Sequence, residues 1–335
     1  MIRYIVRRLL QAGVTLLLIS ICIFFMLNAA PGGPIYGLVM QQKLSAEKVE
    51  QLKEEYGLNE SIPIRYVKWL IHVIRGDLGY SFITKRQVMN EILDRLGNTI
   101  YLMLITFIIV IGISIPISAT SALKQYSTFD IIVTNIAYMG QAMPQFWLGI
   151  IFLRVFYGTL INPFTGEPLL PSGGMYTLGE SFNIIDRIMH LILPVSTLAI
   201  TWISWYSRFL RSSMLEIIHQ DYITTARAKG LSEHVVIFRH VLKNAMFPLI
   251  TLVALDLPYL FGGALYVEII FSWPGMGRLF YESATQRDYP VLMAILMIIS
   301  LLFTFCNILA DITYVYIDPR VNLEKDSSQG GNSCV

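Results

Sequence analysis

Apolar and polar positions along this chain separate into long blocks; neither the two-residue period of a half-buried strand nor an uninterrupted helical stripe dominates. No charged residue occurs between Arg8 and Lys43, and residues 9–30 are almost wholly apolar. Further apolar blocks cover 98–122, 131–153, 188–207, 245–267 and 289–310; the fourth is bounded by Arg187 and Arg208, and the fifth is interrupted by Asp256. A bilayer core of about 30 Å needs about 20 apolar residues of helix, so each block predicts one crossing. The pattern predicts an all-α integral membrane protein with six transmembrane helices. Arg3, Arg7 and Arg8 before the first block resemble the start of a signal peptide, but the block is well beyond the roughly 7–15 apolar residues of such a segment. It is read as an uncleaved first helix.

Composition agrees. Hydrophobic residues make up 55% of the 335 and charged residues 14%, with a mean hydropathy of +0.58. A soluble domain of this size carries roughly a quarter charged residues. The net charge of +2, with no basic tract among aromatics, gives no reason to expect a nucleic-acid partner. Membrane lipid is the expected surrounding. Cys22 and Cys306 fall in apolar blocks and Cys334 in the C-terminal tail, a pattern of small buried hydrophobes and not of an external disulfide framework.

Charge near the block ends predicts orientation, because cytoplasmic segments are rich in lysine and arginine. Three basic residues and no acid precede the first block. Segment 208–243 holds six basic residues against Glu216, Asp221 and Glu233, whereas 156–187 holds only Arg187 against Glu167, Glu180 and Asp186. Both termini and the segment after the fourth block are therefore expected in the cytoplasm.

Four regions result: residues 1–30 with the first crossing, an extracytoplasmic loop 31–97 with short helices, a core 98–315 with the remaining crossings and a cytoplasmic segment 214–243, and a polar tail 316–335, expected to be disordered. Within the loop, Ser45 is placed to cap a helix bearing Val49, Leu52 and Tyr56, with Glu47 near its start and Gly57 as its stop. After Pro63, the aromatics Tyr66 and Trp69 with Leu70, Val73 and Ile74, flanked by Arg65, Lys68 and Arg75, predict an amphipathic helix suited to a membrane surface. It is either a docking platform for an external partner or a packed cap.

No G-x-x-x-x-G-K-[ST], H-E-x-x-H or G-x-S-x-G motif occurs, and no cytoplasmic segment is long enough for a nucleotide-binding domain. The chain is not expected to be an enzyme by itself; it has no catalytic or metal-binding candidates and no cofactor of its own. The segment that stands out runs Asp221-Tyr-Ile-Thr224-Thr225-Ala226-Arg227-Ala228-Lys229-Gly230-Leu-Ser232-Glu233. Small residues ahead of a glycine, with Ser232 placed as the cap of a further helix, predict a short helix, a turn and a second helix of little bulk. Such an element fits a groove on a partner, with small residues such as Ala226 entering it and Arg227 and Lys229 meeting acids there; an ordinary basic loop is the plainer alternative.

This segment resembles the coupling loop of binding-protein-dependent ABC importer permeases, usually Glu-Ala-Ala, three residues, then Gly. Here Thr224-Thr225-Ala226, three residues and Gly230 depart at the first two positions, as the oligopeptide/dipeptide permease family does. Gly76-Asp-Leu-Gly-Tyr-Ser81, Pro144-Gln-Phe-Trp-Leu-Gly149, Gly262-Gly263-Ala264 with Glu268, and Phe271-Ser-Trp-Pro-Gly-Met-Gly-Arg-Leu279 resemble the B-type subunit of that family, in the same order across nearly the whole chain. The resemblance implies a multi-pass subunit of a prokaryotic cell membrane and a complex of this permease, a second homologous permease, two cytoplasmic ATPase subunits and an extracytoplasmic substrate-binding protein. ATP and Mg would be bound by the ATPase subunits, and di- or oligopeptides would cross by alternating access between the two permeases. Related systems carry nickel complexes, haem or sugars; His190 is the only histidine in an apolar block, which disfavours nickel. An ion-coupled secondary transporter would carry several intramembrane acids, whereas Asp256 alone lies deep in a block.

Asp256, next to Pro258, is a candidate pathway acid, because such residues face a cavity or a partner; a helix-packing acid is the alternative. Gly262 and Gly263 suit close helix approach or a gate, and Glu268 joins them as a pathway or gate candidate. Pro144 and Pro194 are expected to kink the third and fourth helices, and Arg154 to reach the surface. Single cysteines at Ser172 and Ser232 are expected to react with impermeant reagents from opposite sides, Ser172 outside and Ser232 inside. Labelling of both from one side overturns the six-helix topology.

Overall fold

The computed structural model describes residues 2–29, 33, 35, 37–39, 45–179, 181–256, 258–259 and 264–317. Among these the chain is helical with no β-strand. In order, the helices are α1 (Ile2–Ala29), α2 (Ala46–Glu55), α3 (Ile62–Ile74), α4 (Val88–Leu123), α5 (Thr128–Ala142), α6 (Gln145–Tyr157), α7 (Ile184–Ile218), α8 (Asp221–Ala228), α9 (Glu233–Asp256), α10 (Leu265–Ile270), α11 (Met276–Gln286) and α12 (Tyr289–Ile317). Five of them, α1, α4, α7, α9 and α12, are each long and apolar enough to cross a membrane, and α5 with α6 forms a sixth span only as a broken pair. At 1.5 Å per residue, the 36 residues of α4 extend about 54 Å, so its ends project beyond a hydrocarbon core of about 30 Å.

Three boundaries differ from the sequence expectation. The third block is broken, not merely kinked: Met143 (φ −77°, ψ 126°) and Pro144 (φ −60°, ψ 130°) are extended, as the residue before a proline prefers. Pro194 instead lies inside the continuous α7. The second helix begins at Val88, about ten residues inside the expected loop, because its first turns carry Glu91, Asp94 and Arg95. α9 stops at Asp256, and Gly262 and Gly263 lie outside the described residues, as do the tail residues 318–335. Cys306 is buried, but Cys22 is exposed, which suits a thiol on a lipid-facing side of α1.

The chain divides into two compact units. The first comprises 1–106, 144–198 and 259–303. Ser45 accepts a hydrogen bond from the Lys48 N–H at 3.4 Å to start α2, and Gly57 (φ +62°) follows its end. Tyr66 and Trp69 of α3 pack against Phe24 of α1 at ring separations of 5.4 and 5.7 Å. Ser81 and the N–H of Phe82 donate to the buried Asp288 carboxylate at 2.5 and 3.1 Å, tying the loop before α4 to the start of α12.

The second unit comprises 107–143, 199–258 and 304–335. Its core includes Val110 and Ala122 of α4, Tyr206, Leu210 and Met214 of α7, and Val241, Ala245 and Leu249 of α9. At one edge the Arg211 guanidinium forks onto Asp130, with both N–H···O bonds at 2.7 Å. Asp130 is 3% exposed; it also accepts from the Ser121 hydroxyl and from the N–H of Tyr126. One carboxylate thus binds α4, the turn after it, α5 and α7. Removing one partner of such a pair leaves a buried charge unanswered, at a cost of about 3–5 kcal/mol. Asp130→Asn, and separately Arg211→Met, is expected to lower the thermal unfolding midpoint of the detergent-solubilised protein, and the double variant to lose less than the two single losses together. Full additivity of the two losses would show that the pair does not act as a unit.

Candidate functional site

The chain from Asp221 to Glu233 folds as the sequence pattern predicts, with one reversal of faces. In α8, Ile223 and Ala226 turn inward, at 0% and 7% exposure, into the core that holds Tyr206, Leu210 and Met214 on one side and Val236, Val241 and Ala245 on the other. Burying a side chain such as Ile223 stabilises by about 1.5–3 kcal/mol, so α8 is fixed to α7 and α9. Ala226, expected on the partner-facing surface, is therefore a packing residue: a helix of only eight residues gives too little periodicity to choose its face. The outward face consists of Asp221, Thr224, Thr225 and Ala228, all exposed, and it is narrow because its side chains are small. The Thr225 hydroxyl donates to the Asp221 carbonyl at 2.9 Å, which keeps its polar group occupied within the helix.

Gly230 ends the helix. Its φ of +77° is left-handed; its N–H bonds the Arg227 carbonyl at 3.0 Å, and the Leu231 N–H bonds the Ala226 carbonyl at 3.4 Å. These two bonds form a Schellman closure, which favours glycine at this position. Across the turn, Arg227 grips Glu233 with two bonds, 3.2 and 2.7 Å; both side chains are exposed, so the pair sets geometry more than stability. Ser232 occupies the cap position of the next helix but makes no side-chain capping bond. Lys229 is exposed. Asn244 donates to the Tyr222 hydroxyl at 3.1 Å and to the His240 carbonyl at 2.8 Å, adding a polar tie between α8 and α9.

Asp256, the candidate pathway acid, lies at the end of α9, half-buried, and accepts a 2.5 Å hydrogen bond from the Tyr206 hydroxyl of α7. Its partner is thus a neighbouring helix, the packing alternative of the sequence reading, although the carboxylate is not sealed from its surroundings. Glu268 sits differently. It is fully buried, accepts from the Thr99 hydroxyl at 2.8 Å and from the Arg278 N–H at 2.9 Å, and caps the start of α11. A Cβ at Gly275 would fall 2.5 Å from its carboxylate, and one at Gly277 would fall 2.8 Å from the Cα of Leu265. The Trp-Pro-Gly-Met-Gly run is therefore the cradle of Glu268, and this residue is an internal anchor where a pathway or gate residue was expected. His190 is buried and its Nδ1 bonds the Asp186 carbonyl at 2.9 Å within its own helix.

Sequence reading missed Asp130, Arg211 and Tyr206. Asp130 was visible only as the charge ahead of an apolar block, Arg211 as one basic residue among six, and Tyr206 as an aromatic near the end of the fourth block.

Two family models match the chain: the binding-protein-dependent transport system inner membrane component over residues 112–323, and the N-terminal part of such membrane components over residues 1–103. The chain belongs to this family and is a multi-pass protein of the cell membrane. It is 44% identical over 322 residues to the oligopeptide transport system permease protein AppB of Bacillus subtilis, covering 96% of this chain and 99% of that protein. It is 36% identical over 334 residues to the dipeptide transport system permease protein DppB of Alkalihalophilus pseudofirmus, covering 96% and 99%. With DppB of Escherichia coli K12 it shares 33% over 342 residues, covering 97% and 100%.

A Cβ at Gly230 would meet nothing within 4 Å, so the cost of a substitution there is conformational alone, about 1 kcal/mol. Gly230→Val is expected to raise amide exchange at residues 226–231 about fivefold, as 1.4 kcal/mol is tenfold, while Gly230→Asn, which tolerates the left-handed region, stays near the parent rate. Equal protection in both variants would count against the Schellman closure.

Proposed function

We propose that this chain is a permease subunit of an ATP-driven importer of di- and oligopeptides, and that α8 with its Gly230 turn receives the stroke of partner ATPase subunits. The observation that carries the reading is the outward face of α8: small side chains, exposed, on a helix locked to α7 and α9 through Ile223 and Ala226. A knob so mounted can enter a groove and pass displacement on without bending at its base. The peptide assignment rests on the names of the relatives at 44%, 36% and 33% identity.

On this reading the complex holds a second homologous permease, two ATPases that bind ATP and Mg, and a substrate-binding protein outside the cytoplasm, with both termini and α8 on the cytoplasmic side. Closure of the ATPases moves α8; α7 and α9 move with it, and the bundle shifts between two packings open to opposite sides. Because Tyr206 and Asp256 sit on α7 and α9, the same shift reaches their hydrogen bond. Asp256, half-buried and held by Tyr206, remains the candidate acid for attracting the amino group of a peptide once that bond is displaced.

Thr225→Trp fills the outward face, whereas Ala226→Trp strikes the core. In vesicles holding the assembled complex and its binding protein, Thr225→Trp is expected to cut peptide uptake at least tenfold and to abolish binding-protein stimulation of ATP hydrolysis, with the unfolding midpoint unchanged. Ala226→Trp is expected to lower the midpoint as well. The coupling assignment fails if Thr225→Trp transports at the parental rate.

A further inference from the structure

Helix α3 carries three faces. At about 100° per residue, Arg65, Lys68, His72 and Arg75 fall within an arc of about 80°. Tyr66, Trp69 and Leu70 pack against Phe24, Ile21 and Leu27 of α1. Between these lies a second apolar stripe, Ile64, Val67, Ile71 and Ile74, exposed at 52%, 53%, 44% and 76%. A helix standing in water above the membrane would not carry apolar side chains around most of its circumference.

The contacts of α3 fix its depth. Its Tyr66 hydroxyl shares a 2.8 Å hydrogen bond with Ser20 Oγ, and Arg65 donates to Asn28 at 2.5 Å. The apolar span of α1 is Val6–Ala29, so α3 lies against its last ten residues, about 15 Å of helix, the thickness of one leaflet. The part of the stripe beside these contacts is therefore level with hydrocarbon and interface. The basic residues lie on the adjoining arc, where Lys68 pairs with Glu60 at 2.5 Å and His72 with Asp77 at 3.1 Å, and Arg75 is exposed.

We infer that α3 is an interfacial helix whose Ile64, Val67, Ile71 and Ile74 stripe inserts into the acyl region of the leaflet holding the C-terminal end of α1, with the exposed Arg75 at the phosphate level. Phospholipid, and not the substrate-binding protein, covers this face. The inference is independent of which substrate is carried.

Nitroxide labels on single cysteines, in a chain with Cys22, Cys306 and Cys334 replaced by serine, read this directly in nanodiscs of mixed phosphatidylglycerol and phosphatidylcholine. Labels at Ile64, Val67 and Ile71 are expected to collide several-fold more often with dissolved oxygen than with a water-soluble nickel chelate, and labels at Lys68 and His72 to show the reverse. A label that lowers the unfolding midpoint is replaced by one at Ile74. Equal access of the chelate to both sets would place the stripe in water. Stripe labels reached by neither reagent would mean that protein covers it, and either result overturns the inference.

Discussion

A carboxylate removed from water costs several kcal/mol unless other groups bond to it, and the bond must come from whatever lies beside it in the fold. Among the described residues, the buried Asp130, Glu268 and Asp288 and the half-buried Asp256 are each answered from a distant part of the sequence. Asp130 takes the fork of Arg211, Asp256 the hydroxyl of Tyr206, Glu268 the hydroxyl of Thr99 and the amide of Arg278, and Asp288 the hydroxyl of Ser81 and the amide of Phe82. Apolar helices in lipid gain little from one another by hydrophobicity alone. Each of these acids supplies a direction that apolar packing lacks, since its donors must lie at particular places in the neighbouring elements.

The same demand explains where the helices stop. A helix end leaves backbone N–H and C=O groups without partners inside the helix, so a break is stable where other groups satisfy them. At Gly230 two backbone bonds close the end of α8. After α10 the chain turns through Ser272 at φ +49° and Trp273, whose indole N–H donates to the Asn98 carbonyl at 3.0 Å, while Asn98 donates to the Pro274 carbonyl at 2.9 Å. Breaks closed in this way are rigid, and rigidity is needed in a part that transmits force or holds a register.

Legibility in the sequence tracks the range of the interaction involved. The apolar spans, the Ser45 cap, the Gly57 stop and the Gly230 turn depend on residues within a few positions of one another; the cap, the stop and the turn appear where expected, and the spans do so apart from the three boundaries described. The start of α4 was hidden because its first ten residues project beyond the apolar block and read as loop. Asp130 and Arg211 lie 81 residues apart, and nothing local marks them as partners. Glu268 was noticed through the motif around it, but the reason for the glycines is steric and needs the fold: Gly275 and Gly277 make room for the carboxylate and for the chain at Leu265.

The reversed face of α8 sharpens the transport reading. If Ala226 pointed outward, the element would be held by Ile223 alone and could rock on its turn. With both residues in the core, and Tyr222 tied to Asn244, α8 is bound to α7 and α9 at three points along eight residues. A push on Thr225 or Ala228 is then taken up by two long helices and not by the loop. Those two helices also carry the hydrogen bond between Tyr206 and Asp256, the polar contact that a sliding of α7 against α9 would break. Sites that are separated in space are coupled when one two-state element is biased by both; on the proposed transport reading, the α7–α9 pair is that element within the second unit.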